Sequence, residues 1–100
     1  MQYSFSVVIP VYNSEQFLHQ SIHSVLAQKK NNVQIILIND GSTDGSKKIC
    51  DFYKNKYNFI KVLHHKKNQG VAASRNNGIH ISNGKYIIFW TVMMSYLKGL

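Results

Sequence analysis

Ile35-Ile36-Leu37-Ile38-Asn39-Asp40-Gly41-Ser42-Thr43-Asp44-Gly45-Ser46 is the stretch whose reading decides the fold. It opens with four consecutive apolar residues, three of them β-branched. Such a run lacks the alternation of a half-exposed strand and reads as a strand buried on both faces, as in a parallel sheet flanked by helices. Polar chemistry begins where the run stops. Asp40 is the first carboxylate, Gly41 permits a sharp turn, and Ser42 or Thr43 can cap the helix that follows. Ligands bind at the carboxyl ends of strands in open α/β sheets, so Asp40 stands at a candidate binding edge. On these residues alone, an ordinary strand-to-helix turn accounts for Asn39 to Ser46 equally well.

Upstream, Phe5 to Tyr12 is a second apolar run, ending near Pro10, which cannot donate to a central ladder and belongs at a strand's end. Asn13 or Ser14 can cap a helix whose stripe is Phe17, Leu18, Ile22, Val25 and Leu26. His19 and His23 fall off that stripe and, without a third ligand nearby, read as surface residues rather than a metal pair. Two strands joined by a helix form a right-handed parallel crossover. Downstream, Ile49, Phe52, Tyr53 and Tyr57 mark a second amphipathic helix, and Phe59 to His64 a third strand. Gly70 opens a third helix, in which Ala72, Ala73 and Ser74 allow close approach to the sheet or a ligand. Arg75 follows, an always-charged group suited to phosphate and equally to a surface ion pair. Tyr86 to Trp90 completes the order β-α-β-α-β-α-β.

At 100 residues the chain has room for one domain at most. Its hydrophobic content of 44% predicts a globular core. Twelve Lys and Arg against four acids give a formal charge of +8, which is compatible with phosphate, nucleic acid or an anionic surface and selects none of them. The pairs Lys29-Lys30, Lys47-Lys48 and Lys66-Lys67 are scattered, as on a solvated face, and no recognition motif supports nucleic-acid binding. No G-x-G-x-x-G follows the first strand, which argues against a dinucleotide oxidoreductase. Cys50 alone sets up no disulfide or zinc framework and fits a reducing compartment. Met1 to Ser6 does not read as a secretion signal, and Val7 to Val11 is too short to span a bilayer.

Three stretches together resemble the family 2 glycosyltransferases, the GT-A-fold enzymes that use nucleotide-diphosphate sugars. They are Ser6 to Asn13, Asn39 to Ser46, and Asn68 to Ile79, in the order and spacing of that family over residues 5 to 90. The resemblance implies an α/β, Rossmann-like GT-A half-domain over residues 1–90: four mostly parallel strands with intervening helices, truncated after the fourth. It implies that Pro10 and Tyr12 line the nucleotide pocket, that Asp40 accepts a hydrogen bond from the base ring N–H, and that Arg75 sits near the diphosphate. The implied donor is a nucleotide-diphosphate sugar, in first place a UDP-sugar. The implied acceptor is a hydroxyl of a glycan or lipid-linked glycan, as in cell-surface polysaccharide biosynthesis. The implied location is cytoplasmic, extending to a peripheral site at the inner face of the membrane. Two departures are visible: the family usually has an acid where Gln34 stands and an aspartate where Asn39 stands.

The larger departure follows the fourth strand. There the family carries an Asp-x-Asp-type motif, commonly Phe-Leu-Asp-Ser-Asp-Asp, whose carboxylates hold magnesium or manganese against the diphosphate. This chain reads Phe89-Trp90-Thr91-Val92-Met93-Met94-Ser95, with no carboxylate from Gly78 to Leu100. A coding stretch TTT TTG GAC AGT GAT GAT G, for Phe-Leu-Asp-Ser-Asp-Asp, loses a single T to become TTT TGG ACA GTG ATG ATG, for Phe-Trp-Thr-Val-Met-Met. Trp90 or Thr91 to Leu100 is therefore expected to be a frameshifted tail, with residues 91–100 the aberrant segment. Trp90, Val92, Met93, Met94, Tyr96 and Leu97 would leave an exposed apolar segment prone to self-association. The expectation for this chain is no bound metal, no catalytic base and negligible transfer. The competing function is a non-enzymatic nucleotide-binding module or a degraded fragment.

Overall fold

The computed structural model describes residues 3–28 and 32–92. Along the chain come β1 (Tyr3–Val11), α1 (Glu15–Gln28), β2 (Val33–Asp40), α2 (Ser46–Lys56), β3 (Ile60–His65), α3 (Val71–Ile81) and β4 (Gly84–Phe89). The strands form one sheet in the order β3-β2-β1-β4, every pair parallel. The apolar run that decides the fold is a central strand, buried from Gln34 through Asp40. Pro10 lies opposite Ile38, whereas pairing with β4 ends at Val8 and Phe89. The residue without an N–H thus stands past the last rung of that ladder.

Side chains alternate across a strand, and the two sets bury into different layers. Val7, Ile9, Ile35 and Leu37 pack with Leu18, Ile22 and Val25 of α1 and with Cys50 and Tyr53 of α2. Val8, Ile36 and Ile38 face the other way, with Leu63, Ile81 and Ile87 closing around them. On this thinner side α3 lies close to the sheet. A Cβ added to Gly78 would come within 2.4 Å of Val8 Cγ1, so no larger residue fits there without displacing the helix.

Several local expectations shift in phase. In α2 the buried positions are Ser46, Cys50 and Tyr53, while Phe52 is exposed. Burial pushes the Cys50 thiol up to about 12, with Asp51 and Asp44 adding to the effect. In α3 the residues against the sheet are Ser74 and Gly78, four apart, and Ala72 faces outward. The expected exposure of Trp90 and Val92 is overturned. Trp90 N–H donates to Val8 O at 2.9 Å, and its ring packs on the α1/α2-side core. Val92 is buried in that core, with 7% of its surface exposed. The ladder draws the chain back over the sheet edge, and the apolar side chains follow. Met93, Met94, Tyr96 and Leu97 lie outside the described residues, as does most of the expected aberrant tail. No helix among the described residues is long and apolar enough to cross a membrane.

Candidate functional site

The carboxyl ends of β1 and β2 run into two loops that are stitched to each other. Asn13 N donates to Ser42 Oγ at 3.0 Å, and Asn13 Oδ1 accepts from Thr43 N at 2.8 Å. Asp44 accepts from Ser46 N at 2.9 Å, at the start of α2, and from Glu15 N at 3.2 Å, at the start of α1. Glu15 Oε1 in turn accepts from Gly45 N. Burial pushes the Asp44 carboxyl up, but its bonds to Ser46 and to the Glu15 amide more than reverse this and hold it below the ordinary 3.8. The cap expected from Ser42 or Thr43 is therefore supplied by Asp44, and those two residues bridge to Asn13 instead. Ser14 likewise turns its hydroxyl to Tyr12 O, 3.0 Å away, leaving the start of α1 to Asp44. One carboxylate serves two helix N-termini, where negative charge is favoured.

Gly41 makes the turn after β2 with φ +70. A Cβ there would stand 2.5 Å from Lys67 C and from Asn68 N, so two backbones meet at this point. The contact brings the loop after β3 against the end of β2 and delivers its amides to Asp40. Gln69 N donates to Asp40 Oδ1 at 2.7 Å and Gly70 N to Oδ2 at 3.0 Å. His65 Nδ1 lies 2.8 Å from Oδ1. Burial raises the Asp40 carboxyl, and the His65 bond with the two amides outweighs it, so Asp40 titrates below 3.8 and is an anion at neutral pH. Oδ1 then has two partners and Oδ2 one, which leaves Oδ2 able to accept one more hydrogen bond.

Asp40 belongs to the wall of a cleft of about 320 Å³, lined also by Pro10, Tyr12, Gly70, Val71 and Ser74 among others. The volume falls at the lower end of the roughly 300–1,000 Å³ usual for small-molecule sites. Pro10, Tyr12 and Asp40 are thus brought together, with half of Tyr12's surface open to solvent. Arg75 is outside the lining. It follows Ser74 on α3, with Cζ 5.7 Å from the centroid of the Phe89 ring. Its Nε is buried without a partner among the described residues. Ser74, one of the small residues expected to allow a close approach, does line the cleft, whereas sequence reasoning missed Val71, although the Asn68 to Ile79 stretch contained it.

The two positions that depart from the family pattern both use an amide N–H, which a carboxylate lacks. Asn39 Oδ1 accepts from Ser42 N at 3.3 Å, which turns its Nδ2 toward His64 Nδ1, 2.9 Å away. Gln34 donates from Nε2 to Asn83 Oδ1 at 3.1 Å, while its Oε1 accepts from Ser6 Oγ and Asn83 N. This second cluster ties the α3–β4 turn to the amino ends of the strands, opposite the cleft.

Residues 6–91 match the description of Glycosyl transferase family 2. The chain belongs to that family. It is 42% identical over 82 residues to glycosyltransferase GlyG of Streptococcus pneumoniae, covering 82% of this chain and 27% of the relative. It is 43% identical over 89 residues to the cholesterol galactosyltransferase of Borreliella burgdorferi, covering 89% and 25%. The structure of S. aureus TarS 1-349 in complex with UDP-GlcNAc superposes with a TM-score of 0.79 at 30% identity, over 89% of this chain and 26% of that one. The chain therefore spans about a quarter of the length of the relatives it matches. The four-stranded parallel sheet with its helices is part of a GT-A fold.

A divalent metal of the kind the family uses requires hard oxygen ligands. The chain's four carboxylates are Glu15, Asp40, Asp44 and Asp51. Glu15 and Asp44 cap helices, Asp40 is held by His65 and two amides, and Asp51 pairs with His64 and Lys47. Phe89-Trp90-Thr91-Val92 offers no carboxylate at the end of β4. Among the described residues no three His, Cys, Asp or Glu side chains gather to hold an ion, and the donor set does not fit the metal.

Proposed function

We propose that this chain is the donor-nucleotide part of a family 2 glycosyltransferase domain, binding a nucleotide-diphosphate sugar, first of all a UDP-sugar. In the intact enzymes of this reading, the sugar passes to a hydroxyl of a glycan or lipid-linked glycan, in the cytoplasm or at the inner face of the membrane. The observation that carries the reading is that Asp40, with one acceptor site left on Oδ2, shares a cleft with Pro10 and Tyr12. The base packs against Tyr12 and its ring N–H donates to Asp40. Arg75 leaves Phe89 and turns to the diphosphate. S. aureus TarS, solved in complex with UDP and with UDP-GlcNAc, supports this choice of ligand.

Titration of the 100-residue chain with UDP tests the reading. Binding is expected in wild type and lost in Asp40→Ala; equal affinity in the two proteins overturns the base contact. Transfer by this chain is expected to be negligible, because no acidic motif follows β4 to hold a metal against the diphosphate. Metal-dependent turnover by the purified chain would refute that expectation.

The sequence from Trp90 or Thr91 onward is read as a frameshifted tail. The Trp90 Nε1 is buried with no partner among the described residues, a defect that fits an indole not selected for its site. The DNA across the codons for Ile87 to Ser95 decides the point. A shifted frame opening Asp-Ser-Asp-Asp and running on as a long reading frame supports it; a closed shifted frame rejects it and favours a stand-alone nucleotide-binding module.

A further inference from the structure

We propose that His65 is a positioning residue for Asp40, held in one tautomer by Asn77, and that this pair fixes the direction in which Asp40 offers its last acceptor site to the nucleotide base. The inference rests on the nucleotide-binding reading of the cleft.

His65 and Asp40 are register partners at the ends of β3 and β2. The imidazole is buried, with 4% of its side chain exposed. Its Nδ1 is 2.8 Å from Asp40 Oδ1, and its Nε2 is 2.8 Å from Asn77 Nδ2. An amide NH₂ group donates and does not accept, so Nε2 is an acceptor and the ring's one proton lies on Nδ1, aimed at Asp40. Asn77 can reach the ring because its neighbour Gly78 lets α3 lie against Val8.

Without His65, the carboxylate would keep two donors, Gln69 N and Gly70 N, both from one short loop. Two adjacent amides, one on each oxygen, hold the carboxylate only as firmly as that loop is held. The third donor comes from the neighbouring strand β3 and ties the group, and with it the free lone pair of Oδ2, to the sheet. His65 itself does not line the cleft, so its effect on a ligand passes through Asp40. Preorganising an acceptor in this way lowers the cost of binding without adding a contact.

The test compares His65→Asn, His65→Gln and His65→Leu in the 100-residue chain, by UDP titration and by ¹⁵N NMR. Asparagine places its amide nitrogen where Nδ1 was and can still donate to Asp40. Glutamine places it near the position of Nε2 and cannot. Affinity for UDP is expected to stay within about threefold in H65N and to fall about tenfold or more in H65Q and H65L. A residue that merely fills space gives the reverse order, because Gln and Leu are closer to His in volume, and that order overturns the proposal.

In wild type the NMR spectrum is expected to show the His65 proton on Nδ1; a proton on Nε2 overturns the assignment. Should H65L fail to fold, the H65N and H65Q pair still decides. Should wild type bind no UDP, the nucleotide reading has failed, and amide exchange judges the positioning separately. Faster exchange at Gln69 and Gly70 in H65Q than in H65N supports it, and equal rates reject it.

Discussion

His64 and His65 are consecutive on β3 and point to opposite faces of the sheet, each inserted between an asparagine amide and an aspartate. On the α2 side, Asn39 Nδ2 meets His64 Nδ1, and His64 Nε2 lies 2.8 Å from Asp51 Oδ1. On the α3 side the order is inverted, with Asn77 against Nε2 and Asp40 against Nδ1. The parts are identical and the tautomers opposite. What separates the two sites is water: the Asp51 side chain is 38% exposed and that of Asp40 only 5%. Solvent can replace any lost partner around Asp51. Around Asp40 every donor must find its acceptor within the protein, so the same three groups form a surface tie on one face and a buried, hydrogen-bonded network on the other.

The strongest way to break this contrast is Asp40→Ala, which removes the common acceptor of His65, Gln69 N and Gly70 N. A loss of about 3 kcal/mol or more in urea unfolding is expected, since a buried network loses its only anion. A loss below about 1 kcal/mol would place Asp40 in the same class as Asp51. Gly78→Ala tests the inner relay from behind. Its Cβ would meet Val8, and a cost of about 1–3 kcal/mol is expected. The His65–Asn77 contact should loosen with it, visible as a shift of the His65 ring signals.

Acid sharpens the comparison next. The His64 bond lowers the Asp51 carboxyl, burial opposing it; for Asp40 burial is the largest influence and raises it, but His65 and the amides prevail. Both lie below the ordinary 3.8 in the folded chain, so the unfolded chain takes up protons first as pH falls. Their stabilisation is complete above that value and is lost as pH drops through the folded values. Urea midpoints followed below about pH 4 should flatten more in Asp40→Asn than in Asp51→Asn. The smallest effect is expected for Asp51→Ala, about 0.5 kcal/mol and shrinking further in high salt.

Much of this architecture was legible in the sequence because it depends on runs and periods. Ile35 to Ile38 has no polar interruption and could only be a strand covered on both sides, and the position of Asp40 at its end followed. What escaped notice depends on contacts between segments far apart in the chain. Asp44 was not seen as the cap of both helices because one of its partners, Glu15, is 29 residues away. His65 fell just past the end of the strand read over Phe59 to His64, since nothing local pairs it with Asp40 or Asn77. Ser74 was among the small residues read as facing the sheet, but Gly78 was passed over and Ala72, read with them, faces outward. Arg75 was picked out for its charge, but sequence alone does not show a guanidinium resting over Phe89. Trp90 and Val92 looked like a loose end because their burial comes from packing on a core built by segments far upstream in the chain.

The backbone crossing at Gly41 also has an evolutionary meaning. With φ at +70 and two backbone atoms 2.5 Å from where a Cβ would sit, neither the turn nor its neighbour can yield to a side chain. Every non-synonymous change of that codon therefore meets the same wall, whatever the chemistry of the new residue. Next to it, Ser42 needs only an oxygen for Asn13 N and can drift to other acceptors. In a library randomised across this turn, position 41 should return one letter under any selection that requires a folded product, while position 42 diversifies.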